Sequence, residues 1–210
     1  MHATIPALPN SIRQLVITGS RAGELSGELT GLFDRLAGRL VAQGMAKLIE
    51  LGFGFLICEG LSDDKAERAR AFFEENFVIR DPNAEGGIRY YQGKILIRTR
   101  KPEDDMNIYL RCCPDSSRLY RGDRLRPSVI VTTEVLSEDE AEQLERDPER
   151  VDLVIRFKDI KAILGLIERP DTHVVQLLLE NQVQLSGNFG HLFKFGAIAK
   201  NVELALTGAE

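Results

Sequence analysis

The chain has no tryptophan, only three histidines and three cysteines, and fewer basic residues (27 Lys+Arg) than acidic ones (32 Asp+Glu). Each shortage closes off a class of function. A net charge of -5 and a pI near 5.4 give no general attraction to phosphate backbones or anionic bilayers, which reward a dense positive surface, so nucleic acid is not an expected partner. The one basic stretch, Arg118 to Arg126, reads as a solvated loop. An odd cysteine count does not make a disulfide framework, and the adjacent Cys112 and Cys113, which would point to opposite faces of a strand, read as free thiols. His2, His173 and His191 lie far apart without a Cys or carboxylate at metal-ligand spacing, so neither a metal nor another cofactor is expected. No apolar run approaches the roughly 18 residues of a membrane span, since Leu48 to Cys58 is broken by Glu50, Gly52 and Gly54. Met1 to Pro9 lacks the charged start and apolar centre of a secretion signal, and Thr207 to Glu210 matches no peroxisomal or reticulum-retention ending, which sets the expectation of a cytoplasmic location.

Catalytic motifs are missing as well. The segment Leu15 to Gly23 looks like a strand entering a dinucleotide-binding turn, but Leu25 stands where the third glycine belongs and no alternating β-α-β pattern follows. Tyr90 and Lys94 imitate the Tyr-x-x-x-Lys pair of short-chain dehydrogenases, yet they fall in a strand and turn rather than on one helix face. There is no Gly-x-Ser-x-Gly elbow and no phosphate-cradling Gly-x-x-x-x-Gly-Lys loop. The acidic pairs Asp63-Asp64, Glu74-Glu75 and Asp104-Asp105 sit at helix starts or turns, where solvent and helix amides account for them. The expectation is a protein that is not an enzyme.

What is present is an ordinary globular composition, 43% hydrophobic and 28% charged, far from the signature of disorder. Leu29, Leu32, Phe33, Leu36 and Leu40 recur at helical spacing and predict an amphipathic helix with one leucine stripe. Met45 to Leu61 reads either as a buried helix ending near Leu51 or as a helix leading into a strand. Ser62, Asp63 and Asp64 start a helix that runs to about Asn76 and buries Ala66, Ala69, Phe72 and Phe73. The period then changes to two: Phe77 to Ile79, Ile88 to Tyr91, Lys94 to Thr99, Asn107 to Cys112, Val129 to Val135 and Val151 to Phe157 predict a meander of short, mostly antiparallel strands. Between the last two, Ser137 and Glu140 form a capping box for a short acidic helix. Helices follow over Asp159 to Glu168 and from Pro170 through Leu179, then a strand around Val183 and Leu185, then a terminal helix carrying Phe189, Leu192, Phe193, Phe195 and Ile198. The last third is rich in branched and aromatic side chains and poor in polar ones. Laid on a sheet, such helices either close a core or line a cavity.

The order Val151 to Asp159, then the helix Ile160 to Leu166, the apolar helix Val174 to Leu179 and the strand Val183 to Phe189 with its Gly187-Asn188 ending, resembles the end of sterol carrier protein 2 domains. The helix and hairpin from Phe72 to Gly93 look like the opening of that family. The likeness spans residues 65 to 205 and is best over 151 to 200, whereas residues 100 to 150 hold more strand and loop than the compact family domain. It implies an α+β fold, a mostly antiparallel sheet of five to six strands covered on one face by helices, as the lipid-binding domain over 63–210; residues 1–62 are expected to form an N-terminal helical extension that has no counterpart in that family. It further implies non-catalytic binding or transfer of a fatty acyl, sterol or other lipid in a hydrophobic tunnel, without metal or cofactor. Carried over by position, the lining would be Phe157, Ile160, Leu164, Leu177, Leu178, Phe189, Leu192, Phe193 and Phe195. The alternatives are a filled core serving an assembly or regulatory role, with homodimers formed through the N-terminal helices, and an enzyme of unrecognised type.

Overall fold

A computed structural model describes residues 37–50, 63–122, 124–168 and 174–207. In chain order these are helix α1 over 37–50, α2 (Asp63–Phe77), the hairpin β1 (Val78–Arg80) and β2 (Ile88–Tyr90), β3 (Lys94–Thr99), β4 (Asn107–Cys112), the small hairpin β5 (Tyr120–Arg121) and β6 (Arg124–Leu125), β7 (Val131–Val135), α3 (Glu138–Glu145), β8 (Leu153–Phe157), α4 (Ile160–Glu168), α5 (Val174–Leu179), β9 (Val183–Gly187) and α6 (Phe189–Thr207). The leucine stripe up to Leu36, the Leu15 to Gly23 segment, Cys58, His2 and His173 lie outside the described residues.

The main sheet has five strands in the order β7-β4-β3-β8-β9. β3 to β4 and β4 to β7 are antiparallel neighbours, which is the predicted meander. The meander then breaks. Instead of adding to β7, the chain crosses through α3 and lays β8 parallel to β3 on its far side, with Leu96 opposite Val154, and β9 closes antiparallel on β8. The sheet is therefore mixed, and β1 with β2 forms a separate two-stranded ribbon. A parallel partner needs a long crossover, and the capped helix α3 supplies it. Its cap is the expected one: Ser137 and Glu140 satisfy each other's backbone amides.

Both faces of the sheet are covered, where the sequence predicted helices on one. Strand alternation divides the side chains. Ile95, Ile97, Ile108, Leu110, Leu153, Ile155 and Phe157 join a large core that also takes Phe73 and Phe77 of α2, Ile163 of α4, Leu177 of α5 and Ile198 of α6. On the opposite face Leu96, Tyr109 and Val154 meet Ala141 and Leu144 of α3 in a smaller cluster. That second face is basic at one end, and the acidic helix answers it. Arg98 pairs with Glu138 and, at 2.8 Å, with Glu145, which also pairs with Arg156. Arg98 is 7% exposed, so its charge is removed from bulk water and held by carboxylates from both ends of α3.

Helix α1 belongs to the large core. Ala42 and Ala46 are buried in it, with Met45 and Ile49 packed alongside. Glu50 accepts a 2.7 Å hydrogen bond from the Thr133 hydroxyl on the edge strand β7. Gly38 sits against the turn before β4, where an added Cβ would meet the Asp104 carbonyl oxygen, so this crossing needs a residue without a side chain.

Candidate functional site

The candidate site is the apolar set on β8, α4, α5 and α6. The structure divides it into an inward and an outward group. Phe157 and Leu177 are buried in the large core, and Ile160, Leu192 and Phe195 pack against it half-buried. Leu164 is half-buried. Leu178, Phe189 and Phe193 face outward, 37%, 51% and 75% exposed, and the unpredicted Leu179 is exposed to 83%.

Helical geometry explains the division on α6. Leu192, Phe195 and Ile198, three residues apart, form the stripe that meets the sheet, while Phe189 and Phe193, four apart, fall together on the other side. The terminal helix is apolar on both sides, so burying one stripe leaves the other in water. On α5 Leu177 is the anchor, and its two neighbours Leu178 and Leu179 turn outward because a single short helix cannot present consecutive residues to one surface.

Polar groups near this set serve structural bonds. The Asp104 carboxylate accepts from the Ile160 amide at 3.2 Å and so holds the start of α4; burial pushes its pKa up, against bonds from Thr99 and Ile160 that pull it down. The Asn188 side chain accepts from the Gly190 amide and its carbonyl from His191, which starts α6. Gly187, at φ 104, makes the turn into that helix, and an added Cβ would strike the Asp152 carbonyl.

The remaining reactive candidates separate. Cys112 and Cys113 are both buried, and burial raises both thiols, Cys113 to about 12, so the nucleophilic thiolate is scarce at neutral pH. Lys94 donates to the Glu149 carbonyl at 2.7 Å, which removes it from the role that the Tyr90 spacing imitates. Among the described residues no group of His, Cys, Asp and Glu side chains converges as a metal site.

Sequence reasoning set His191 aside as a metal ligand and did not foresee its partner. Its imidazole lies 3.0 Å from the Tyr91 hydroxyl and stacks on that ring at 5.6 Å between centroids. A hundred residues separate the partners, and the only local hint is Gly93, where a side chain would collide with the Tyr91 phenol.

The fold and site define an α+β protein built on a five-stranded mixed sheet whose terminal helices are apolar on their outward as well as their inward side. Comparison with known proteins finds no matching family model, no matching curated protein and no matching solved structure. Among the described residues no helix is long and apolar enough to cross a membrane.

Proposed function

We propose that this chain is a non-catalytic binder of an apolar ligand, a fatty acyl chain, a sterol or a comparable lipid, held at the C-terminal helices. The observation that carries the reading is the exposure of Leu179, Phe193, Phe189 and Leu178 on α5 and α6, helices whose other sides are already anchored in the core. Large apolar groups held in water by a fixed scaffold gain on being covered, and an apolar chain leaving water gains roughly 0.8 kcal/mol per methylene. About ten methylenes therefore supply on the order of 8 kcal/mol, the scale of a micromolar complex before ordering costs, with no specific polar contact. The resemblance of residues 151–200 to sterol carrier protein 2 domains supports the same ligand class.

The test is native mass spectrometry of freshly purified protein together with titration of a fluorescent fatty acid. Co-purifying lipid and saturable binding are expected, with loss of binding in the Phe189→Ser/Phe193→Ser double variant at unchanged melting temperature. Lipid-free protein that ignores the fatty acid rejects the proposal.

One observation favours assembly as a second reading. Leu40 and Leu48 of α1 are 44% and 46% exposed, opposite the buried Ala42 and Ala46. If that face pairs subunits, Leu40→Glu/Leu48→Glu lowers the mass in solution, and an unchanged mass excludes it.

A further inference from the structure

A cavity of about 740 Å3 opens between the β1–β2 hairpin and the first turn of α6, and none of the outward apolar residues described above lines it. Ile88 and the rings of Tyr90 and Tyr91 give it flat apolar walls, while Arg89, His191 and Ser116 bring polar groups and Glu85 stands with them. The question is what hydrogen-bonding capacity the protein leaves unspent there.

Arg89 meets Asp81 through its Nε at 3.2 Å and remains 59% exposed, and its terminal nitrogens have no protein partner among the described residues. His191 faces the Tyr91 hydroxyl with Nδ1. Tyr91 is 7% exposed, burial pushes its pKa up so that it stays a neutral phenol, and its hydroxyl has no other acceptor among the described residues. With the phenol donating to Nδ1, a neutral imidazole carries its hydrogen on Nε2, and a protonated imidazole carries one there too. In both of those states His191 offers an N–H that no described residue uses. The Ser116 hydroxyl is likewise without a protein partner among the described residues, so donors on Arg89, His191 and Ser116 stand beside the acceptors of Glu85 and Gln92, and Arg89 brings a positive charge that Asp81 offsets in part.

We propose that this cavity binds an organic oxyanion, a carboxylate or phosphate monoester carried on an aromatic ring. Arg89 and His191 hold the charged oxygens, and the tyrosine and isoleucine walls hold the ring. At about 740 Å3 the cavity falls in the usual volume range of a small-molecule site, so it has room for an aromatic body beside the anion. Glu85 opposes the anion and so sets a sign that can be measured.

The experiment is isothermal titration calorimetry of the full chain at low salt with 2-naphthoate, 2-naphthyl phosphate and the uncharged 2-naphthalenemethanol. At least one anion is expected to bind about tenfold or more tightly than the alcohol, and the tighter of the two identifies the oxyanion. Arg89→Gln, a change at an exposed side chain, weakens that anion about tenfold, and His191→Phe, which keeps a ring against Tyr91, weakens it several-fold. Glu85→Gln tightens it by roughly two- to fivefold. Phe189→Ser/Phe193→Ser leaves it unchanged, which separates this site from the apolar one. Equal binding of the alcohol, affinity indifferent to both Arg89→Gln and His191→Phe, or no binding of either anion at about millimolar concentration overturns the proposal.

Discussion

At the scale of single residues, the two phenylalanines Phe73 and Phe193 show how little the side-chain type says by itself. Phe73 is fully buried, stacks on Phe77 at 5.7 Å and meets the edge of Tyr120 at 6.2 Å, whereas Phe193 is 75% in water. Phe73→Ala is expected to cost about 3 to 5 kcal/mol of unfolding free energy, because it opens a cavity in a packed core. Phe193→Ala should stay within about 0.5 kcal/mol, so urea denaturation of the two variants separates a core position from a solvent-facing one. The thiols make a second test. With both buried and both pKa values raised, Cys112 and Cys113 are expected to resist iodoacetamide in the native protein at neutral pH and to react fully in urea, as mass spectrometry would report. Rapid native labelling of either would favour the enzymatic alternative.

At the scale of elements, Asp104 is a junction between α1 and α4. Its carbonyl lies where a side chain on Gly38 would be, and its carboxylate holds the Ile160 amide. Burial raises the Asp104 pKa above its ordinary 3.8. A carboxyl shifted upward by folding binds its proton more tightly in the native state, so its stabilising contribution is complete below the unfolded value and is lost as pH rises through the folded one. Relative to Asp104→Asn, the wild-type protein should therefore be at its best in acid and lose ground as pH is raised from 3.8 through that higher value. Thermal melts of both proteins across that range check this, and a difference that grows in favour of the wild type with rising pH contradicts it.

At the scale of the whole molecule, α1 is joined to the core by buried Ala42 and Ala46 and to the sheet edge by the bond between Thr133 and Glu50. Removing residues 1–62 uncovers apolar side chains in the large core as well as any subunit contact. The truncated chain is expected to have a lower urea midpoint and to bind a hydrophobic dye, and an unaltered midpoint would show that the core closes without the helix. Covering of the opposite sheet face by α3 is a property of the same scale. Its acidic termini and the arginines of β3 and β8 are scattered along the chain, and they meet only when β8 lies beside β3.

The amino-acid sequence alone determined the kinds and order of the helices from α2 onward and of the strands of the main sheet, because period, capping and turn chemistry are local; it read Arg118 to Arg126 as a loop, where the short β5–β6 hairpin forms. The Ser137–Glu140 cap, the short apolar strands and the break at Gly187-Asn188 all fall where neighbouring residues place them. It also marked the nine apolar candidates as hydrophobic, although not their directions. Tertiary structure decided which of them point inward, since a helix apolar on both sides has no preferred face until a sheet takes one: Leu192 and Phe195 met it, and Phe189 and Phe193 did not. It likewise decided the parallel pairing of β3 with β8, the second covered face and the meeting of Tyr91 with His191. Those contacts join residues far apart in sequence, and their partners are chosen by the packing of the whole chain rather than by any local pattern.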